Sequence, residues 1–122
     1  MTRILLVEDE PIARTMATEI FDHLQVFFEI AKDGEEALNR LQKEAYDLIL
    51  CDLGLPDITG FEIVRRTKSE ENPNQKTPFF ALTSHGDERY RERAIQSGMT
   101  GFLPKPLDEK RCQAVIESVQ YL

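Results

Sequence analysis

Side chains that could bind ions or take part in catalysis follow several short apolar runs of this sequence. They are three carboxylates, two hydroxyls and one ammonium: Glu8 and Asp9, Asp52, Thr83 and Ser84, and Lys105. Crowded carboxylates repel one another, and a hard divalent cation such as Mg²⁺, which prefers oxygen ligands, relieves that repulsion. A Mg²⁺ ion beside a free carboxylate and an ammonium suits phosphoryl transfer, in which the carboxylate attacks phosphorus and forms an acyl phosphate.

Each of these groups is weak evidence by itself. A carboxylate after a strand is most often the N-cap of the next helix, and a Lys before Pro is usually a surface charge. The set is more informative, because four of the five predicted strands end in a polar group suited to one reaction. The set contains no His or Cys, which disfavours zinc or copper.

Apolar runs alternate with amphipathic stretches, and this alternation predicts five βα units. The predicted strands are Ile4–Val7, Val26–Ala31, Leu48–Cys51, Phe79–Leu82 and Thr100–Leu103. The predicted helices are Pro11–Leu24, capped by Asp9 or Glu10, Glu35–Lys43, Phe61–Thr67, Asp87–Ser97, and a last helix capped by Asp108. We therefore expect an α/β fold, a flavodoxin-like doubly wound parallel sheet of order 2-1-3-4-5 with helices on both faces. The carboxyl ends of its central strands face one crevice, so the polar groups should converge there.

Length and composition are those of one globular domain, which we place at residues 1–122. The chain is 41% hydrophobic and 30% charged, and no apolar run approaches the roughly 20 residues of a membrane span. The net charge of −7 argues against non-specific nucleic-acid binding. Cys51 and Cys112 form no disulfide framework or CxxC pattern, and no signal peptide is visible, so we expect a cytoplasmic protein without membrane or nucleic-acid contact.

Over its whole length the chain resembles the receiver domains of two-component signalling, the family that includes chemotaxis regulators. Five motifs, in this order, carry the resemblance. They are LLVEDEP (5–11), AKDGEEAL (31–38), DLILCDLGLPDITGFE (47–62), ALTSHG (81–86) and GFLPKP (101–106). The resemblance implies phosphorelay signalling, in which Asp52 accepts a phosphoryl group from a phosphohistidine donor. It implies that Mg²⁺ is held by three side chains and one backbone carbonyl, those of Glu8, Asp9, Asp52 and Gly54.

The same resemblance implies the remaining site residues. Thr83, Ser84 and Lys105 surround the phosphoryl group, and the bond from Lys105 to Pro106 is cis. Thr83 and Phe102 form the switch, which acts on the face made by the fourth helix, fifth strand and fifth helix. Phe102 lacks the hydroxyl of a Tyr, so this switch would depend on packing alone. His85 is open to two interpretations, a solvated loop residue or one that tunes the lifetime of the phosphoryl group.

The donor implied by the resemblance is a histidine kinase or a histidine phosphotransfer protein. It would dock beside the first helix near Ile12, Ala13 and Met16, residues that can equally be core. No output domain is expected after the last helix, so a free-standing receiver, a shortened response regulator and a segment of a hybrid histidine kinase all remain open. The LPDITG and FLPKPL segments look most like receivers of hybrid kinases. Such a chain would phosphorylate and dephosphorylate itself rather than turn over a substrate.

Two other classes of protein fit the sequence less well. A Mg²⁺-dependent phosphatase with an aspartyl nucleophile usually needs a second acid two residues later, where this chain has Gly54. A flavin-binding module needs a Ser/Thr/Gly-rich phosphate loop after the first strand. Here that loop carries Glu8, Asp9 and Glu10, which would repel a phosphate unless a metal intervenes.

Overall fold

Five short parallel strands form the central sheet of the protein. In the computed structural model, which describes residues 2–120, they are β1 (Arg3–Val7), β2 (Phe27–Ala31), β3 (Leu48–Asp52), β4 (Phe79–Thr83) and β5 (Gly101–Pro104). Their order is β2-β1-β3-β4-β5, and every neighbouring pair is parallel. The predicted fold class and strand order are confirmed. Residues 1 and 121–122, which complete the predicted domain, lie outside the described residues.

Helices cover both faces of the sheet. They are α1 (Pro11–Leu24), α2 (Gly34–Lys43), α3 (Gly60–Ser69), α4 (Arg91–Ser97) and α5 (Glu109–Val119). Leu5 and Val7 of β1 point into a core shared with α2, α3 and α4, whereas Ile4 and Leu6 point into a second core shared with α1 and α5. Strands buried on both faces explain the continuous apolar runs of the sequence. None of the helices within residues 2–120 has the length and apolarity needed to cross a membrane.

Acidic and hydroxyl side chains begin four of the helices. Of the two candidate caps of α1, Glu10 is the one used, accepting from the backbone N–H groups of Ile12 at 3.1 Å and Ala13 at 2.7 Å. The remaining caps, each of which accepts one backbone N–H, are Asp33 for α2, Thr59 for α3 and Asp108 for α5. These caps satisfy N–H groups that have no partner inside the helix. They also leave the carboxylate of Asp9 available for another role.

The predicted helix Asp87–Ser97 is wrong over its first four residues. Asp87–Tyr90 is a 3-10 turn, and α4 begins only at Arg91. The carboxylate of Asp87 turns back to accept from the N–H of Ser84 at 2.7 Å, and that of Glu88 accepts from Gly86 at 3.0 Å. These acidic side chains therefore stabilise the loop before the helix. Gly98, with a φ of 116°, ends α4 as predicted.

The predicted start of β2 also needs correction, and the structure shows which residues α1 buries. β2 begins at Phe27 instead of Val26, because Gln25 adopts a left-handed conformation and Val26 still donates its N–H to Phe21. The residues that α1 buries fully are Ala17 and Phe21. Ile12 is 70% exposed and Met16 is 37% exposed, so these two residues, for which the sequence left a core position and a docking surface open, lie on the surface.

Asn74 lies in the loop between α3 and β4 and ties that loop to the rest of the fold. It is fully buried, and its side-chain amide donates to the carbonyls of Leu41 at 2.8 Å and Glu44 at 2.6 Å. Its side-chain oxygen accepts from the N–H of Tyr46 at 2.8 Å. The amide thus satisfies backbone groups at the end of α2 and before β3, which would otherwise be buried without partners.

Replacement of Asn74 by Ala should lower the free energy of unfolding by at least about 2 kcal/mol, because buried backbone groups lose their partners. Urea denaturation measures this loss. Asn39→Ala, at an exposed position of α2, is the matched control and should change stability by less than about 0.5 kcal/mol. Equal effects of the two substitutions would contradict the role given to Asn74.

Candidate functional site

The sheet register brings the predicted polar residues to one edge. Val7 pairs with Cys51, Asp52 pairs with Leu82, and Thr83 pairs with Pro104. The residues that follow β1, end β3, end β4 and follow β5 are therefore neighbours at the carboxyl edge of the sheet. The predicted convergence of Glu8, Asp9, Asp52, Thr83 and Lys105 at this edge follows from that pairing.

Three carboxylates form an acidic cluster at this edge. One oxygen each from Glu8, Asp9 and Asp52 lies within 4.8 Å of the others. Glu8 is only 1% exposed, whereas the side chain of Asp52 keeps 14% of its surface accessible. All of these donors are carboxylate oxygens, the ligands that Mg²⁺ prefers, so the cluster fits a magnesium ion.

Lys105 is the cation that balances the cluster. Its Nζ atom lies 3.0 Å from Oε1 of Glu8 and 3.2 Å from Oδ2 of Asp52. Its backbone N–H donates to the carbonyl of Thr83 at 2.7 Å, and its bond to Pro106 is cis, as predicted. Burial alone lowers the pKa of Lys105, but the hydrogen bond to Glu8 and the charges of both carboxylates outweigh it and raise that pKa. The side chain therefore stays an ammonium.

Glu8 has the most perturbed carboxyl group of the cluster. Burial is the main cause that raises its pKa to about 7, and the hydrogen bond with Asp52 raises it further against the opposing effect of Lys105. A proton on Glu8 thus relieves part of the repulsion near neutral pH. A metal ion that binds Glu8 must displace that proton.

The loop after Asp52 is held on both sides. The N–H of Gly54 donates to Oδ1 of Asp52 at 3.2 Å, so Gly54 borders the acidic cluster. The carboxylate of Asp57 accepts from the N–H groups of Gly34 and Glu35, each at 2.9 Å, which attaches the loop to the start of α2. A Cβ atom at Gly60 would lie 2.5 Å from the carbonyl oxygen of Asp52, so α3 approaches this closely only with glycine there.

The hydroxyl residues lie on the other side of Lys105. Thr83 is partly buried and Ser84 is exposed, and together with Lys105 they line a cavity of about 220 Å³. Arg91 and His85 line the same cavity, and His85 is exposed. The geometry leaves both interpretations of His85 open.

Phe102 lies in β5 and contacts a residue of α4. Its ring is partly buried against the core that α2, α3 and α4 share with the sheet. The guanidinium carbon of Arg91 lies 4.8 Å from the centre of the ring, a distance typical of a cation–π contact. The exposed side chain of Arg91, the first residue of α4, therefore lies over the ring of Phe102.

Sequence reasoning missed Arg14, which contacts the acidic loop directly. Its Nη1 atom donates to the backbone carbonyl of Asp9 at 2.6 Å and to that of Glu8 at 3.3 Å. The only available signal was an Arg one turn into the helix that follows the acidic pair, and that pattern is common on helix surfaces.

A second cavity, of about 280 Å³, opens between α1 and the segment after β5. Its apolar wall includes Ile12, Met16 and Leu107, and its polar wall includes Glu8 and Lys105. The exposed apolar residues of α1 therefore lie directly beside the acidic cluster.

Comparison with known proteins gives matches to one family. The family model for the response regulator receiver domain matches residues 4–117. The chain is 30% identical over 117 residues to the sensor protein GacS of Pseudomonas syringae pv. syringae, covering 93% of this chain and 13% of that protein. The chain spans about half, or less, of the length of several curated relatives that it matches.

Solved structures agree with this match. The chemotaxis response regulator CheY4 of Vibrio cholerae superposes with a TM-score of 0.87 at 29% identity over 98% of both chains. The receiver domain of sensor histidine kinase PA1611 of Pseudomonas aeruginosa superposes with a TM-score of 0.89 at 30% identity, over 99% of this chain and 98% of that one. That receiver was crystallised with a magnesium ion in its active-site cleft. The fold, the converging polar groups and the match over residues 4–117 agree, and the chain belongs to the response regulator receiver domain family.

Proposed function

We propose that this chain is a phosphorelay receiver that accepts a phosphoryl group on Asp52 from a phosphohistidine donor, with the help of Mg²⁺. The observation that carries the proposal is the position of Asp52. Its carboxylate lies within 4.8 Å of possible metal ligands on Glu8 and Asp9, and 3.2 Å from the ammonium of Lys105. A nucleophile between a metal-binding cluster and a fixed cation is the arrangement that phosphoryl transfer needs.

The side chains of Glu8, Asp9 and Asp52 would hold the ion, together with the backbone carbonyl of Gly54. When bound, Mg²⁺ supplies positive charge that neutralises the oxygens of the incoming phosphoryl group. The oxygen-only donor set supports this choice of metal, as does the magnesium found in the PA1611 receiver.

The chain's own residues account for the remaining chemistry. A carboxylate oxygen of Asp52 forms a bond to phosphorus while the bond between phosphorus and the imidazole nitrogen of the donor breaks, and the imidazole leaves with the bonding electron pair. Lys105, already 3.2 Å from Asp52, pairs with a phosphoryl oxygen. The hydroxyl of Thr83 donates to another oxygen from the shared cavity, and Ser84 lies at its edge. Later attack of water on phosphorus regenerates Asp52, so the chain resets itself without turning over a separate substrate.

The switch would act through Thr83 and Phe102. A phosphoryl group on Asp52 offers the hydroxyl of Thr83 a charged hydrogen-bond acceptor, and Thr83 moves toward it. Phe102 turns inward to fill the vacated space, which separates its ring from Arg91. A local charge change is thereby coupled to the packing of α4, β5 and α5.

The donor would be a histidine kinase or a histidine phosphotransfer protein. The exposed side chains of Ile12 and Met16 border the cavity that leads to Glu8 and Lys105, which suits a helical partner that brings its phosphohistidine to Asp52. The relation to GacS and PA1611 favours a receiver that works with, or within, a sensor histidine kinase.

Mg²⁺ should raise the melting temperature, because a ligand that binds only the folded state stabilises it. At a free concentration tenfold above Kd the gain is about 1.4 kcal/mol. Since the pKa of Glu8 is raised to about 7, the gain should increase from about pH 6 to about pH 8 as the competing proton is lost.

Asp52→Asn should raise the melting temperature in EDTA, because it removes one like charge, and should reduce the response to Mg²⁺. Thermal melts with EDTA and with Mg²⁺ measure both effects. Asp22→Asn, at an exposed position of α1, is the control and should leave both values unchanged. If neither Mg²⁺ nor Asp52→Asn shifts the melting temperature, the acidic cluster is not assembled as proposed.

Acetyl phosphate should phosphorylate the protein once in the presence of Mg²⁺ and not in EDTA, because the site itself supplies most of the chemistry. Intact-mass spectrometry should show one added phosphoryl group, which is absent in Asp52→Ala and present in Asp22→Ala. Persistence of the modification in Asp52→Ala would place the acceptor elsewhere and refute the proposed function.

BeF₃⁻ with Mg²⁺ should change the NMR signals of β5 and α4 as well as those of the loops around Asp52, since Phe102 must leave its contact with Arg91. In Thr83→Ala the changes near Asp52 should remain, and those at Phe102 and Arg91 should be lost. Changes confined to the loops around Asp52 in the unaltered protein would instead indicate a passive relay of phosphate.

A further inference from the structure

Arg14 connects the first turn of α1 to the loop that carries two of the three carboxylates. Its Nη1 atom donates to two successive carbonyls, at 2.6 Å for Asp9 and 3.3 Å for Glu8, and its side chain is partly buried. We infer that Arg14 is a positioning residue for the magnesium site, which fixes the peptide groups from which Glu8 and Asp9 extend. This inference depends on the proposed function, because it concerns the affinity of the same site for its metal.

Besides Arg14, one long hydrogen bond spans Asp9, from the N–H of Glu10 to Oε2 of Glu8 at 3.4 Å, and the other anchors lie at the two ends of the loop. The N–H of Glu8 donates to Ala31 at 3.0 Å, which anchors the loop at its start. The carboxylate of Glu10 is committed to the N-terminus of α1, which anchors the loop at its end. Asp9 lies between these anchors. Arg14 fixes the carbonyls that precede and follow the Cα atom of Asp9, and the directions of those carbonyls set the direction of the Asp9 side chain.

The acidic cluster makes such a restraint necessary. Three carboxylates with oxygens within 4.8 Å of one another repel, and rotation of Asp9 into solvent would relieve that repulsion when no metal is present. A loop that opens in this way must become ordered again when Mg²⁺ binds. The free-energy cost of this ordering lowers the affinity of the site for Mg²⁺. Residues that orient metal ligands typically change metal affinity by about 10- to 100-fold when they are replaced.

The charge of Arg14 acts in the opposite direction. A guanidinium near the site repels a divalent cation, so removal of this charge alone would tighten Mg²⁺ binding. Removal of the restraint on the carbonyls would weaken it. The sign of the change in affinity therefore distinguishes a positioning residue from a nearby charge.

The test is titration of the protein with Mg²⁺ alone, followed by NMR signals of the amides around Asp9 and Asp52. Arg14→Gln should raise the Kd for Mg²⁺ by about tenfold or more. Arg14→Lys keeps the charge but loses the planar pair of donors, so its Kd should lie between those of the unaltered protein and Arg14→Gln. Lys32→Gln is the charge-matched control at the end of β2 and should leave the Kd unchanged or slightly lower.

Titration with Ca²⁺ separates positioning from a general loosening of the fold. Mg²⁺ demands nearly ideal octahedral geometry, whereas Ca²⁺ accepts variable geometry, so Arg14→Gln should weaken Mg²⁺ binding more than Ca²⁺ binding. Equal losses for the two ions, an unchanged Kd or a tighter Kd in Arg14→Gln would each overturn the inference. If Arg14→Gln does not fold, Arg14→Lys is compared with the unaltered protein instead. Its Kd for Mg²⁺ should rise, and should rise more than its Kd for Ca²⁺. Failure of the unaltered protein to bind Mg²⁺ would refute the proposed function instead.

Discussion

The ion pairs of Lys105 with Glu8 and Asp52 are the constraint on which the rest of the site depends. They join the segment after β5 to the ends of β1 and β3, at distances of 3.0 and 3.2 Å. A carboxylate as buried as Glu8 is costly unless it is paired or protonated, and the site uses both solutions, with Lys105 as the partner and a pKa raised to about 7. The excess of negative charge that remains is what a divalent cation would neutralise.

The surrounding acids are arranged so that they do not compete for this site. Glu10 caps α1, Asp57 accepts from two N–H groups at the start of α2, and Asp87 accepts from Ser84. Each of these carboxylates has a backbone donor of its own and is held in the local structure beside the acidic cluster. The large number of acids near this edge is thus divided between local structure and chemistry by hydrogen bonding.

The sheet and the position of the site could be predicted from the sequence, because they follow from the periodicity of apolar residues and from the polar residues after each strand. Short continuous apolar runs such as Leu48–Cys51 are typical of strands buried on both faces, which predicted the sheet, and the polar residues after those strands predicted where the site lies. Most of what sequence reasoning missed involves side-chain hydrogen bonds, whereas the late start of β2 comes from the left-handed backbone of Gln25. The carboxylates of Asp87 and Glu88 accept from backbone N–H groups of the preceding loop, where a helix was predicted. The side chain of Asn74 accepts from Tyr46, and the side chain of Arg14 donates to the carbonyl of Asp9. Periodicity contains no information about such contacts.

Chemical mapping of the phosphorylated residue tests the central claim most directly. Borohydride reduces an acyl phosphate to an alcohol, so treatment of the phosphorylated protein converts the modified aspartate to homoserine, which peptide mass spectrometry locates. Homoserine is expected at position 52 only, formed with Mg²⁺ and absent without it. Reduction at Glu8 or Asp9 would contradict the assignment of Asp52 as the nucleophile, as would a phosphoryl group found on His85.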